Sequence, residues 1–228
     1  MDAVASFAGL RVLVLGDVML DRYVYGAVTR MSPEAPIPVL AIERETAMPG
    51  GAGNVALNIA ALGGSAVLVG LVGDDAAGRE LHDLLEQNRA GITADLVADA
   101  TRPTTCKTRF VADRQQLLRA DAERGAPADA AATAALLAAF CGHLPSADAV
   151  ILSDYAKGVL SDRVLHEAIA ATRAAGKPIV ADPKFSNFGR YDGVTVLTPN
   201  KGEAVAATGQ AIVNDADAAA AAVLALPA

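Results

Sequence analysis

The sequence predicts an α/β fold: a doubly wound, mostly parallel sheet flanked by helices, with a small β-strand lid inserted near its start. Two observations predict the sheet. Short apolar runs rich in branched residues recur at residues 10–16, 66–72, 149–153, 178–181 and 194–197. Segments with helical spacing alternate with them, as in a parallel sheet crossed by helices. A third predicts the lid: between residues 21 and 49 the pattern becomes half-polar and is broken by prolines.

In order, residues 10–16 form the first strand, ending in Gly16-Asp17 as buried parallel strands often do. Tyr23-Val24-Tyr25 and Pro38-Val39-Leu40-Ala41-Ile42 are too irregular for a central sheet. They place lid strands within about 22–49. Val55, Leu57, Ile59 and Leu62 give a helix over 53–62, stopped by Gly63-Gly64. Residues 66–72 are a second buried strand, and 75–90 a helix with Gly91 as its C-cap. Residues 104–121 hold two strands, 105–111 and 116–119, that complete either the lid or the sheet edge. A helix over 128–143, a strand at 149–153 and a helix from Ser161 to about 175 follow. Strands at 178–181 and 194–197 precede a helix from Lys201. A last helix over 215–226 should feed another strand. The single domain assigned to 1–228 is therefore expected to be incomplete at its C-terminal end.

Composition narrows the function. The chain is 53% hydrophobic, ample for a packed core, so global disorder is excluded. No apolar run approaches the ~18–20 residues of a membrane span, and the first residues lack a basic, apolar signal segment. The expected location is the cytoplasm. A net charge of −7 argues against broad binding to nucleic-acid backbones. Cys106 and Cys141 form no CxxC pair, and His82, His143 and His166 have no ligand spacing. They read as reduced thiols in or near a core and ordinary histidines.

The most informative stretch is Pro49-Gly50-Gly51-Ala52-Gly53-Asn54. Glycines opening a helix let a ligand approach the backbone, where free N–H groups and the helix dipole favour polyols or phosphates. The bland alternative is a plain tight turn. Gly51-x-Gly53-x-x-Ala56 also matches a dinucleotide fingerprint, with Asp74-Asp75 about 20 residues on. It does not follow the first buried strand, so a nicotinamide site is disfavoured. No GxxxxGK[ST] is present, which excludes a P-loop.

Asp17 and Asp21 stand just past the first strand, where open α/β sheets bind ligands. Ser153-Asp154-Tyr155-Ala156-Lys157 and Asp182-Pro183-Lys184 each put an acid and a lysine at a strand's carboxyl end. Such lysines suit an anionic substrate group. Asn200-Lys201-Gly202-Glu203 reads either as a capping box or as a carboxylate organising hydrated magnesium near a nucleotide.

Together these residues resemble the ribokinase-like (PfkB) sugar kinases. Gly50-Gly51-Ala52-Gly53-Asn54-x-Ala56, then Gly63 and Gly73, fits that family's first signature at every fixed position. Asn200-x-x-Glu203 is similar to its NxxE motif, and the resemblance spans essentially the whole chain. Within the family, Gly16-Asp17-Val18-Met19-Leu20-Asp21-Arg22-Tyr23, Ser32-Pro33-Glu34-Ala35-Pro36, Gln115-Gln116-Leu117-Leu118-Arg119 and Leu152-Ser153-Asp154-Tyr155-Ala156-Lys157-Gly158 resemble the branch that acts on heptose phosphate.

The resemblance implies ATP-dependent phosphorylation of the anomeric hydroxyl of D-glycero-D-manno-heptose 7-phosphate, towards ADP-heptose for lipopolysaccharide core. It implies ATP and magnesium as cofactors, leaves a monovalent-cation requirement open, and implies a homodimer joined through the lid. Asp21, Gly50, Gly51 and Asn54 resemble the sugar contacts, with Asp17 and Asp154 as further contacts. Arg119, Lys157 and Lys184 are the candidates for the substrate phosphate. Asn200, Lys201, Gly202 and Glu203 resemble the magnesium–ATP contacts, with Glu203 towards the metal. One departure stands out. The family's catalytic Gly-Ala-Gly-Asp is absent, and Gly51-Ala52-Gly53-Asn54 carries Asn where the base would be. The catalytic Asp is expected beyond residue 228, and these 228 residues alone are expected to bind sugar weakly and turn over poorly. Two other readings remain: a kinase of the same family for another sugar, or a non-catalytic sugar- or nucleotide-binding relative.

Overall fold

The computed structural model describes residues 7–87, 91–185 and 187–209. The expected helix over 215–226 lies outside them. Two sheets organise the chain. The larger has the order β10-β9-β8-β1-β4-β5, and all its neighbouring pairs are parallel. Its strands are β1 (Arg11–Gly16), β4 (Ser65–Val72), β5 (Ile92–Ala98), β8 (Ala149–Ser153), β9 (Ile179–Asp182) and β10 (Val196–Leu197). The smaller is the lid, in the order β3-β2-β6-β7: β2 (Val18–Met31), β3 (Pro38–Gly51), β6 (Cys106–Ala112) and β7 (Gln115–Ala122).

Strand periodicity explains the double winding. Along β1, alternate side chains point to opposite faces. Val12 and Val14 join Ala56, Ile59, Leu81 and Leu85 from α1 (Ala52–Ala61) and α2 (Ala76–Gln87). Leu13 and Leu15 join Leu136, Phe140, Val164 and Leu165 from α3 (Ala130–His143) and α4 (Asp162–Ala174). Both faces are thus covered, which is why these strands read as unbroken apolar runs. Asp129 caps α3 through the Ala132 amide at 2.8 Å; Ser161 caps α4, and only this second cap was read from the sequence.

Three readings change. The strand β5 was not foreseen; only Ile92 of its seven residues is buried, so it lacks the apolar run of its neighbours. The lid strands are longer than expected. β2 starts at Val18, directly after β1, and β3 continues through Gly51. Proline does not interrupt them because Pro38 opens β3 and Pro49 lies near its end, positions where a ladder tolerates a missing donor. Residues 106–122 complete the lid rather than the sheet edge. β6 pairs with β2, and the hairpin to β7 turns on Asp113 and Arg114, both at positive φ, as two-residue hairpins require. Cys106 is buried, whereas Cys141 is exposed on α3.

Candidate active site

The chain runs outward from β1 in both directions, through β4 to β5 and later through β8 to β10. The reversal puts a crevice at the carboxyl ends of β1 and β8, the usual ligand position in such sheets. The segments after these two strands carry Asp17, Asp154 and Lys157, with Asp21 a little further along β2.

Asp17 does not face that crevice as a free ligand contact. It is fully buried, and its carboxylate accepts backbone N–H bonds from Tyr155 at 2.8 Å and from Lys157 and Val159 at 3.0 Å. Burial pushes its carboxyl up against the opposing pull of these donors. It acts as a strut that ties β1 to the β8–α4 loop. Asp154 is a second strut. It accepts from the Tyr191 hydroxyl at 2.6 Å and the Ala156 amide at 2.8 Å, with Arg190 at 3.6 Å. Sequence position alone could not separate these buried acids from Asp21.

Asp21 fits a ligand role better. It is half-buried on β2, directly across from Met48 and beside Gly50. A Cβ on Gly50 would lie 2.1 Å from Asp21 Oδ2, so only glycine leaves that carboxylate its place. Gly51 has φ +57° and caps α1 without a side chain; a Cβ there would meet the Asp17 carbonyl at 2.3 Å. The first N–H of α1, on Ala52, donates to the Asp17 carbonyl at 2.9 Å, and Asn54 is exposed on the same turn. This fingerprint does follow a strand, but a strand of the lid, not the buried one a dinucleotide fold uses.

Arg109 was missed by the sequence reading. Its guanidinium lies 2.6 Å from Asp21 Oδ1 and over the Tyr23 ring, 5.0 Å from its centroid. Alternation along 105–111 could have placed it with Lys107 on one face of the lid. Lys107 lies 3.9 Å from Asp121, and Arg119 bonds Asp121 through two nitrogens at 2.9 and 3.0 Å. Lys157 reaches Glu123 at 2.7 Å. Lys184, by contrast, is exposed at the end of β9.

A buried ion pair supports the β8–α4 loop from below and was also missed. Arg102 donates to Asp99 at 3.1 Å, to the Lys157 carbonyl at 3.0 Å and to the Ala126 carbonyl at 2.7 Å. Both side chains are at most 6% exposed. Nothing in the pattern Asp99-Ala100-Thr101-Arg102 distinguishes it from a solvated turn. Tyr155, on the same loop, has its phenol pushed up by burial and then by Asp182, Asp21 and Asp17, so it stands in the field of all three acids.

Asn200 and Glu203 form a reciprocal capping box on α5 (Lys201–Thr208), at 3.0 and 2.9 Å. Lys201 and Gly202 are exposed in its first turn. The structural reading of this motif is thus realised. Beyond the cap, Glu203 is close enough to Asp182 to help burial push the Asp182 carboxyl up, with Thr198 opposing. Two crowded carboxylates are a fit for magnesium, which keeps waters and phosphate oxygens as most of its ligands. Among the described residues no group of three or more His, Cys, Asp or Glu could hold a metal alone.

A doubly wound parallel sheet with a four-stranded lid and a glycine turn where the lid meets α1 defines the fold class of this chain. The chain belongs to the pfkB family of carbohydrate kinases, whose family model matches residues 10–226. It is 59% identical over 204 residues to the bifunctional protein HldE of a Caulobacter species, covering 90% of this chain and 41% of that protein. It is 58% identical over 214 residues to HldE of Caulobacter vibrioides, covering 94% and 43%. The chain thus spans about two fifths of the length of these relatives. Among solved structures, the tetrameric inhibited form of Escherichia coli phosphofructokinase-2 superposes with a TM-score of 0.70 at 20% identity, covering 95% and 69% of the two chains. Arabidopsis thaliana ribokinase complexed with ribose and ATP gives 0.67 at 20% identity, covering 95% and 68%. These two likenesses concern the fold.

Proposed function

We propose that the chain carries the kinase that transfers the γ-phosphoryl group of ATP to the anomeric hydroxyl of D-glycero-D-manno-heptose 7-phosphate, in the cytoplasm, towards ADP-heptose for lipopolysaccharide core. The observation that carries the sugar site is Asp21, oriented by Arg109 and set against the side-chain-free edge of Gly50 and Gly51. A carboxylate so held accepts hydrogen bonds from two hydroxyls, and Asn54 lies on the adjoining helical turn. The stretches that resemble the heptose branch, from Gly16 to Tyr23 and from Leu152 to Gly158, support the choice of sugar.

In this reading Arg119, Lys157 and Lys184 serve the substrate phosphate, while Asp17 and Asp154 act through the loop they brace. Asn200, Lys201, Gly202 and Glu203 border the nucleotide, and Glu203 with Asp182 would hold magnesium. Magnesium bound there with ATP supplies charge neutralisation on the phosphates. The proton of the attacking hydroxyl goes to an Asp of the Gly-Ala-Gly-Asp motif, which these 228 residues do not contain. The 228-residue polypeptide by itself is therefore expected to bind sugar and turn over poorly. Steady heptose-dependent ADP production by it would refute that.

A homodimer through the lid is part of the same reading. Ile37, Pro38, Leu40, Phe110, Leu117 and Leu118 line an apolar hollow of about 400 Å³ on the lid. Leu118 and Ile37 are more than half exposed there.

The test is ADP release by the full-length protein with magnesium–ATP and heptose 7-phosphate, beside fructose 6-phosphate and ribose. Heptose-selective turnover is expected. Preference for another sugar would discard the substrate and keep the family. Silence from folded protein would favour a binding role.

A further inference from the structure

A charged cluster joins the lid to the β8–α4 loop, and a carboxylate lies at its centre. Asp21, Lys107 and Asp121 form one row across β2, β6 and β7; Tyr23, Arg109 and Arg119 form the next. Residues paired across a sheet share a face. The cluster therefore shares the face on which Asp21 adjoins the glycine turn.

On that face Arg119 grips Asp121 with both ends of its fork, and Lys107 stands 3.9 Å away. Lys157 arrives from the main sheet and is held by Glu123, two residues past Asp121. The Asp121 carboxyl is held below its ordinary range by Arg119 first, with Lys107 and Lys157 adding to it. Four cations, counting Arg109 on Asp21, thus share three carboxylates. The side chains of Lys107, Arg109 and Lys157 are only 17%, 19% and 17% exposed. Lysine and arginine usually extend their charges into water. Here Lys107, Arg109 and Lys157 are gathered inward while Arg119 stays half exposed, in a chain whose net charge is −7.

A guanidinium fork fits carboxylate and phosphate oxygens alike, and ammonium groups add compact charge. We propose that Asp121 is an internal occupant of the substrate-phosphate subsite: it fills the Lys107–Arg119–Lys157 cluster until a sugar phosphate displaces it. The proposal rests on the reading of the chain as a sugar-phosphate kinase. A dianionic phosphate outcompetes one carboxylate for these cations. A neutral hydroxymethyl group leaves it in place, so the carboxylate sets the threshold a phosphate must pass to enter and trims the advantage of phosphorylated over unphosphorylated sugars.

The test uses the full-length protein and three probes: heptose 7-phosphate, unphosphorylated heptose and inorganic phosphate. Asp121→Asn is expected to tighten both phosphate-bearing probes by about two- to fivefold, the range for an exposed ion pair, and to leave unphosphorylated heptose unmoved. Lys107→Ala is expected to weaken the same two probes. Unchanged or weaker phosphate binding in Asp121→Asn would overturn the proposal. Should that variant fail to fold, Lys107→Ala and Arg119→Ala decide it: equal losses for phosphorylated and unphosphorylated heptose would overturn it too. If the wild type phosphorylates no sugar phosphate, the kinase reading falls, while the inorganic phosphate measurement still decides the subsite.

Discussion

Replacing Arg102 with methionine tests whether buried charge holds the loop that carries Tyr155 and Lys157. The substitution removes the 3.1 Å contact to Asp99 and the bonds to the carbonyls of Lys157 and Ala126 at 3.0 and 2.7 Å. Asp99 keeps the amide and hydroxyl of Thr101 at 2.9 and 2.7 Å, so its charge is not stranded outright. Breaking one side of a buried pair costs about 3–5 kcal/mol. The surviving Thr101 bonds put the expectation near the lower end, about 3 kcal/mol. Urea denaturation of wild type and variant reads this directly. The acid side adds a second signature. Burial pushes the Asp99 carboxyl up, but Thr101 and then Arg102 bring it below its ordinary value. A depressed carboxylate stabilises the fold above its unfolded pKa, and that stability is lost as pH falls through the native value. The variant has already lost the share due to Arg102, so the two stability curves should draw closer as pH falls from about 4, without meeting, because the carbonyl bonds stay lost. A loss under about 1 kcal/mol, the magnitude of a surface pair, would refute the reasoning and leave Asp17 as the loop's main support.

Three further outcomes are expected. Gly50→Ala drives a methyl to 2.1 Å from Asp21 Oδ2; it should destabilise by about 1–3 kcal/mol and weaken sugar binding, read by calorimetry against wild type. Asp17→Asn has one acceptor oxygen for three backbone donors. It should lose about 1–3 kcal/mol, with faster amide exchange confined to residues 155–159. Leu118→Lys places a charge on the lid's apolar hollow; sedimentation should show the wild type as the proposed lid dimer and the variant as a monomer, with an unchanged circular dichroism spectrum.

The sheet was legible because its strands are buried on both faces and its helices carry ordinary caps. Val12 to Leu15, Ser161 and Asn200 announce themselves by composition and spacing. The edge strand at Ile92–Ala98 did not, since an edge needs only one apolar side chain in the core. At the candidate site, Gly50 and Gly51 were readable as a close-approach turn, and the fold sets Asp21 beside them. Asp17 and Asp154 occupied equally suitable sequence positions and proved to be braces. Asp17 is claimed by amides of 155–159, about 140 positions away along the chain, and Asp154 by the hydroxyl of Tyr191. The pairs Asp99–Arg102 and Asp21–Arg109 were invisible for the same reason: burial of a charge is a property of the folded neighbourhood.

The outer end of the lid has a consequence of its own. β6 accompanies β2 only as far as Gly26, so residues 27–31 pair with β3 alone, past irregularities at Tyr25/Gly26 and Val28/Arg30. A two-stranded ribbon is marginal in water unless something supports it. Its order is then borrowed from whatever rests on it, while the root at Val18 to Leu20 stays locked in the core. The same strand is thus anchored at one end and responsive at the other. Deuterium uptake along its length should rise steeply past Gly26 in an isolated protomer and flatten when a second surface covers the tip, making this one strand a built-in gauge of assembly.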